Sequence, residues 1–181
     1  MTRFPLHLTP RDPHLANLYR DIVDSGFGTE QPINFFTALG SRTDLLQATW
    51  AFVKAVLVDG QLPGSVKQMI ALCVSRQNNC RYCSVVHRGA LEAAGVDSEI
   101  IESCATDPET RHIKEPQRSI VQFALKAARD PSSIADGDVT ALLDKGLTHG
   151  EVTEVIVMAG FTNFINSWAD ISGIPLDGEG E

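Results

Sequence analysis

No stretch of this 181-residue chain reaches the roughly 18 consecutive apolar residues of a membrane helix, so no span is expected. Positive charge is also scarce. Fifteen Lys and Arg stand against 23 Asp and Glu, a net charge of −8, whereas phosphate binding needs clustered basic residues. The run Arg111-His112-Ile113-Lys114 is too short to be such a patch, so a nucleic-acid role is disfavoured. Part of the negative charge lies in Asp177-Gly178-Glu179-Gly180-Glu181, expected as a frayed, solvated end. The start, Met1-Thr2-Arg3-Phe4-Pro5, has no apolar h-region and is not expected to be a signal peptide. A cytoplasmic, reducing location is therefore expected. No run alternates with period two over a useful length, and no βαβ rhythm is present.

What is present reads as helix throughout. Pro13 to about Ser25 carries Leu15, Leu18, Tyr19 and Ile22 at helical spacing. Pro32–Leu39 is short and stopped by Gly40. Ser41 or Thr43 is expected to cap a longer helix from Asp44 to Val58. Pro63-Gly64-Ser65 opens another, with Val66, Met69, Ile70 and Cys73 on one face and Gln77-Asn78-Asn79 at its end. Further helices are expected from Cys80 to Ala94 with Gly95 as C-cap, over Asp97–Cys104, Gln117–Ala128 and Asp136–Leu143, and from Glu151 to about Ile171. Thr148 and Glu151 form a capping box for the last. The expectation is one all-α, multi-helix domain over residues 1–181, with its core at about 13–173.

Cys80-Arg81-Tyr82-Cys83-Ser84-Val85-Val86-His87 carries the chemistry. At about 100° per residue, Cys80, Cys83 and His87 fall on one helical stripe. Two thiols able to close a small disulfide then share a face with an imidazole. In a reducing compartment such a pair points to catalysis or metal binding more than to a static staple. A thioredoxin motif opens a helix after a strand, whereas here the preceding residues are helical. As a zinc site, Cys80, Cys83 and His87 would need a fourth ligand from Cys73, Cys104, His112 or a carboxylate, and no second CxxC or HxxxH supplies it. Cys73 and Cys104 read as small buried hydrophobes. His7, His14 and His149 read as surface residues, and His112 as part of a charged connection from Asp107 to Glu115. Val66–Leu72 echoes Val152–Met158, a register that pairs Gln68 with Glu154.

The residues from Leu62 to Gly95 resemble the carboxymuconolactone decarboxylase superfamily, in its alkylhydroperoxidase D-like branch. The resemblance rests on Lys67-Gln68-Met69-Ile70-Ala71-Leu72, Asn78-Asn79-Cys80-Arg81-Tyr82-Cys83, His87, Ala90 and Ala94-Gly95-Val96. It implies an all-α bundle, a homo-oligomer, and hydroperoxide reduction without a cofactor. The partners implied are a small hydroperoxide and an external dithiol reductant. The family carries a glutamate twelve residues before the first cysteine, where this chain has Gln68. In the family that carboxylate and the histidine relay a proton to the thiol. An amide can hydrogen-bond but cannot take a proton at neutral pH. Tyr82, where some members have histidine, either orients substrate or packs.

Catalytic roles are therefore expected for Cys83, Cys80, His87, Gln68 and Tyr82. His87 lies one turn after Cys83 and can accept its proton or, as imidazolium, stabilise its thiolate. Together with the resemblance this makes Cys83 the nucleophile and Cys80 the resolving thiol. The competing order has Cys80 attack, because it lies nearest the helix N-terminus. A scaffold with lost or different activity is the remaining alternative.

Overall fold

The helices follow the apolar spacing of the sequence. The computed structural model describes residues 2–107 and 112–178. Residues 108–111 of the expected charged connection, and Glu179–Glu181 of the expected frayed end, lie outside the described residues. Among those described there are nine α-helices: α1 Pro13–Asp24, α2 Asn34–Leu39, α3 Thr43–Val53, α4 Gly64–Gln77, α5 Arg81–Ala93, α6 Ser98–Thr106, α7 Gln117–Arg129, α8 Asp136–Asp144 and α9 His149–Ser172. The only β pairing among them is an isolated bridge between Gly28 and Pro32. The fold is all-α, as expected.

The chain divides into two units, residues 1–59 with 169–181, and residues 60–168. In the first, α1 is capped by Asp12, which accepts from the His14 N–H at 3.1 Å, and buries Leu15, Leu18, Tyr19 and Ile22. Phe27, Phe35, Phe36 and Trp50 meet edge to face with centroids 5.1–5.9 Å apart, the arrangement that ring quadrupoles favour. The indole N–H of Trp50 donates to Asp21 at 2.6 Å, so the buried ring keeps its polar bond. One expectation is corrected here. Neither Ser41 nor Thr43 caps α3. Arg42 is the N-cap residue, with no side-chain cap, and its guanidinium instead grips Asp44 in the first turn at 2.7 and 2.9 Å. The helix also loosens into a π turn over Lys54–Val58 rather than staying regular to its end.

The second unit is built around α4. Nine of its residues are buried, among them every position from Met69 to Ser75, and it packs against α5, α6 and α7. Met69, Leu72, Cys73, Leu91, Ile101, Cys104, Ile113 and Val121 form one apolar core here. A Leu72→Ala change would cost ~2–5 kcal/mol through lost burial and the cavity left behind. The turn out of α4 is set by Asn79 at φ 60°, a left-handed conformation that Asn tolerates better than most residues. The Cys80 N–H then reaches the Ser75 carbonyl at 2.9 Å and the Asn79 N–H reaches that of Arg76 at 3.1 Å, a Schellman closure. The same device ends α5: Gly95 has φ 70°, with Val96 N–H to Leu91 O at 3.1 Å and Gly95 N–H to Glu92 O at 3.0 Å. Thr148 and Glu151 make the expected capping box at the start of α9, at 2.7 and 3.1 Å.

Candidate active site

The tight exit from α4 places Cys80 just outside α5 rather than within it. Cys80 is the N-cap residue, and its sulfur accepts the Cys83 N–H at 3.3 Å. A helix N-terminus leaves its first N–H groups without intrahelical partners and carries partial positive charge. A thiolate at Cys80 is stabilised by both.

Cys83, His87 and Leu91 continue as a buried stripe along α5. Both cysteines are buried, Cys83 at 3 % exposure and Cys80 at 0 %. The Cys83 thiol points toward the Ile165 carbonyl of α9 at 4.0 Å, at the long limit for a sulfur donor. His87, one turn on, is buried, and its Nδ1 lies 2.8 Å from Oε1 of Gln68 on α4. Because Oε1 only accepts, Nδ1 carries the hydrogen, and Nε2 is left as the basic nitrogen. Burial pushes the His87 pKa down to about 4, so the ring is neutral at pH 7. The expected imidazolium partner for the thiolate is thus disfavoured, and the proton-accepting role remains open to the ring. Tyr82, in the first turn of α5, is buried.

The site's supports are polar. Asn78, the last-turn cap of α4, donates to Asn163 and Asn166 of α9, each at 2.8 Å. Asn166 in turn donates to the Ser75 hydroxyl at 2.9 Å, and Asn163 to the Ala128 carbonyl at 2.8 Å. These amides tie the α4–α5 corner to α7 and α9. Glu154, the sequence counterpart of Gln68, is occupied elsewhere. Its carboxylate accepts the N–H groups of Gln61 and Leu62 and lies 3.7 Å from the buried Lys67 ammonium. Gly60 fits this corner because a Cβ there would fall 2.8 Å from Lys67 Nζ and 2.6 Å from the Glu154 carboxylate.

Two further thiols meet. Cys73 on α4 and Cys104 on α6 are both buried, as expected, but they also hydrogen-bond to each other, which the sequence did not reveal. That bond and burial hold Cys73 well above the ordinary thiol range, while accepting the Cys73 S–H lowers Cys104. Among the described residues no group of three or more His, Cys, Asp or Glu side chains is placed to hold a metal ion. His14, His112 and His149 are exposed, with His112 3.2 Å from Glu99. His7 departs from expectation: it is half-buried, and its Nε2 has no hydrogen-bond partner. Among the described residues no helix is long and apolar enough to cross a membrane.

Residues 43–112 match the Carboxymuconolactone decarboxylase family. No curated protein matches the chain. Among solved structures, an uncharacterized peroxidase-related protein from Ralstonia eutropha JMP134 with an alkylhydroperoxidase AhpD core superposes with TM-score 0.82 at 24 % identity, covering 95 % of this chain and 93 % of its own. A peroxidase-related protein from Silicibacter sp. TM1040 gives TM-score 0.82 at 22 % identity, over 97 % of this chain and 94 % of its own. The debrominase Bmp8, as a cysteine-to-alanine variant in complex with 2,3,4-tribromopyrrole, gives TM-score 0.78 at 16 % identity, over 97 % of this chain and 94 % of its own. Residues 43–112 are thus similar to the Carboxymuconolactone decarboxylase family, and the chain has the all-α fold of these peroxidase-related structures.

Proposed function

We propose that this protein is a thiol-dependent hydroperoxide reductase in which Cys83 attacks and Cys80 resolves. The observation that carries the reading is the placement of Cys80, Cys83 and His87 at the start and along one buried face of α5. Cys80 receives the N–H of Cys83 at the helix N-terminus. Cys83 lies one turn before His87, whose free nitrogen is fixed as Nε2 by Gln68.

In the first step Nε2 takes the Cys83 proton, and the thiolate attacks a hydroperoxide oxygen. The O–O bond breaks, and the departing alkoxide takes the proton back from His87 and leaves as an alcohol, or as water from hydrogen peroxide. Cys83 becomes a sulfenic acid. The Cys80 thiolate then attacks that sulfur. The S–S bond forms, the S–O bond breaks, and hydroxide leaves as water with the proton Cys80 gave up. An external dithiol restores both thiols by exchange. Gln68 positions His87 without adding charge, which makes this a slow peroxidase. Tyr82, buried in the first turn of α5, is assigned a packing role.

Free thiols of this kind work in a reducing compartment, which supports a cytoplasmic location. Association of copies into a homo-oligomer is supported by Ile156 and Phe164, each 48 % exposed on α9. We treat residues 1–181 as one functional domain.

The test is hydroperoxide consumption with a small dithiol as reductant. Cys83→Ser abolishes turnover. Cys80→Ser permits one oxidation that stops at a trappable sulfenic acid. If Cys83→Ser keeps a reactive thiol and Cys80→Ser does not, the two exchange roles. A second reading, reductive removal of bromide from an aromatic ring, is favoured by the uncharged Gln68–His87 pair, which suits a neutral ring better than a carboxylate site would. Its balance is the same two thiol electrons, giving a C–H bond, hydrogen bromide and the disulfide. Bromide release from a brominated pyrrole, with no hydroperoxide turnover, selects it.

A further inference from the structure

The two cysteines outside the motif are not isolated core residues. Cys73 is on the central helix α4 and Cys104 in the last turn of α6, both at or below 2 % exposure in one apolar cluster. Each thiol has the other as its hydrogen-bond partner. Thiols in such contact need only close to the ~2.05 Å sulfur–sulfur bond length. Their separation in sequence is large, and all of α5 lies between them, with Cys83 and His87 on it.

We propose that Cys73 and Cys104 form a second, buried redox pair that closes a disulfide between α4 and α6 under sustained exposure to a hydroperoxide. It is slower than the Cys80–Cys83 pair and independent of it. Access comes through the end of α6, a nine-residue helix whose last turn contains Cys104. Helix ends open at lower cost than the core helices they pack on. Cys104, in that last turn, is the thiol that meets the oxidant first. Its thiolate attacks the hydroperoxide, the O–O bond breaks, and the alkoxide takes a proton and leaves as alcohol. Cys73 then attacks the Cys104 sulfenic sulfur. The S–S bond forms, the S–O bond breaks, and hydroxide leaves with the Cys73 proton as water. Two thiols lose two electrons and the hydroperoxide gains them.

The crosslink would close a covalent loop around α5. It restricts the unfolded chain and so raises the melting temperature, on the order of 5 °C for a protein of this size. The effect is a latch that fixes the helix carrying Gln68 when oxidant outlasts the first pair.

The experiment follows free thiols in the folded wild type under excess hydrogen peroxide, with non-reducing peptide mapping at each stage. Two thiols are expected to disappear quickly and two slowly, the slow phase yielding a Cys73 peptide linked to a Cys104 peptide. The Cys80→Ser/Cys83→Ser double variant is expected to keep only the slow phase, which separates this proposal from the reading of the CxxC motif. The fully oxidised wild type is expected to melt several degrees above the form with only the first pair oxidised. The proposal is overturned if Cys73 and Cys104 remain alkylatable on unfolding after prolonged exposure. It is also overturned if they crosslink to Cys80 or Cys83 instead, or if their closure leaves the melting temperature unchanged or lowered.

Discussion

Replacing Gln68 by Glu should convert the neutral His87 into a stronger base. Nδ1 lies 2.8 Å from the Gln68 oxygen, so a carboxylate in the same place would put its charge about 4 Å from that of an imidazolium. At an effective dielectric of ~20 the attraction is ~4 kcal/mol, or ~3 pKa units. Burying the new carboxylate offsets part of this. From its present value of about 4, His87 should therefore rise to roughly 5.5–7. The carboxylate accepts the Nδ1 hydrogen just as the amide oxygen does, so Nε2 remains the acceptor for the Cys83 proton. General acid–base assistance contributes ~10²–10⁴-fold when complete, and a gain of about tenfold in thiol oxidation at neutral pH is expected from this partial restoration. The assays are an NMR titration of the His87 ring and the pH profile of the rate constant with hydrogen peroxide. A ring that still titrates near 4 refutes the electrostatic argument. A raised pKa with an unchanged rate and profile refutes the role of His87 as the base.

Other outcomes follow from the same geometry. His87 is neutral in the folded protein down to about pH 4, whereas in the unfolded chain it protonates near its ordinary 6.5. Stability from this group is complete above pH 6.5 and falls as pH drops toward 4, by on the order of 3 kcal/mol in all. Urea unfolding of wild type and His87→Gln at pH 7, 5.5 and 4.5 measures it, and parallel pH dependences would contradict it. Glu154→Gln should cost about 3 kcal/mol by removing a carboxylate charge from beside the Lys67 ammonium, only 2 % exposed. The same variant should leave the pH profile of thiol oxidation unmoved, because Glu154 is engaged with Lys67 and the Gln61 and Leu62 N–H groups; a shifted profile would assign it to the proton path.

Much of the fold and of the site is legible in the sequence. Apolar spacing marked each helix, and the CxxC-x3-His pattern set three reactive side chains along one segment. The twelve-residue offset singled out Gln68, which does lie against His87. Three things depended on tertiary placement instead. Cys80 became a cap rather than a helical residue because Asn79 turns left-handed, a choice made jointly by the α4 carbonyls and the α5 start. No local spacing marks Lys67 as buried, yet it is, with the Glu154 carboxylate of a distant helix 3.7 Å from its ammonium. Cys73 and Cys104 were each readable as core residues, but their contact comes from the packing of α4 on α6, which no local spacing encodes.

If Cys80 and Cys83 act as the redox pair, they are the first thiols lost to a hydroperoxide. Reduced protein is treated briefly with a single equivalent of hydrogen peroxide, quenched with an alkylating agent, and mapped by mass spectrometry without reduction. An intramolecular Cys80–Cys83 disulfide is expected, with Cys73 and Cys104 both recovered as alkylated thiols. Oxidation of Cys73 or Cys104 ahead of the motif, or four alkylated cysteines with the peroxide unconsumed, would contradict it.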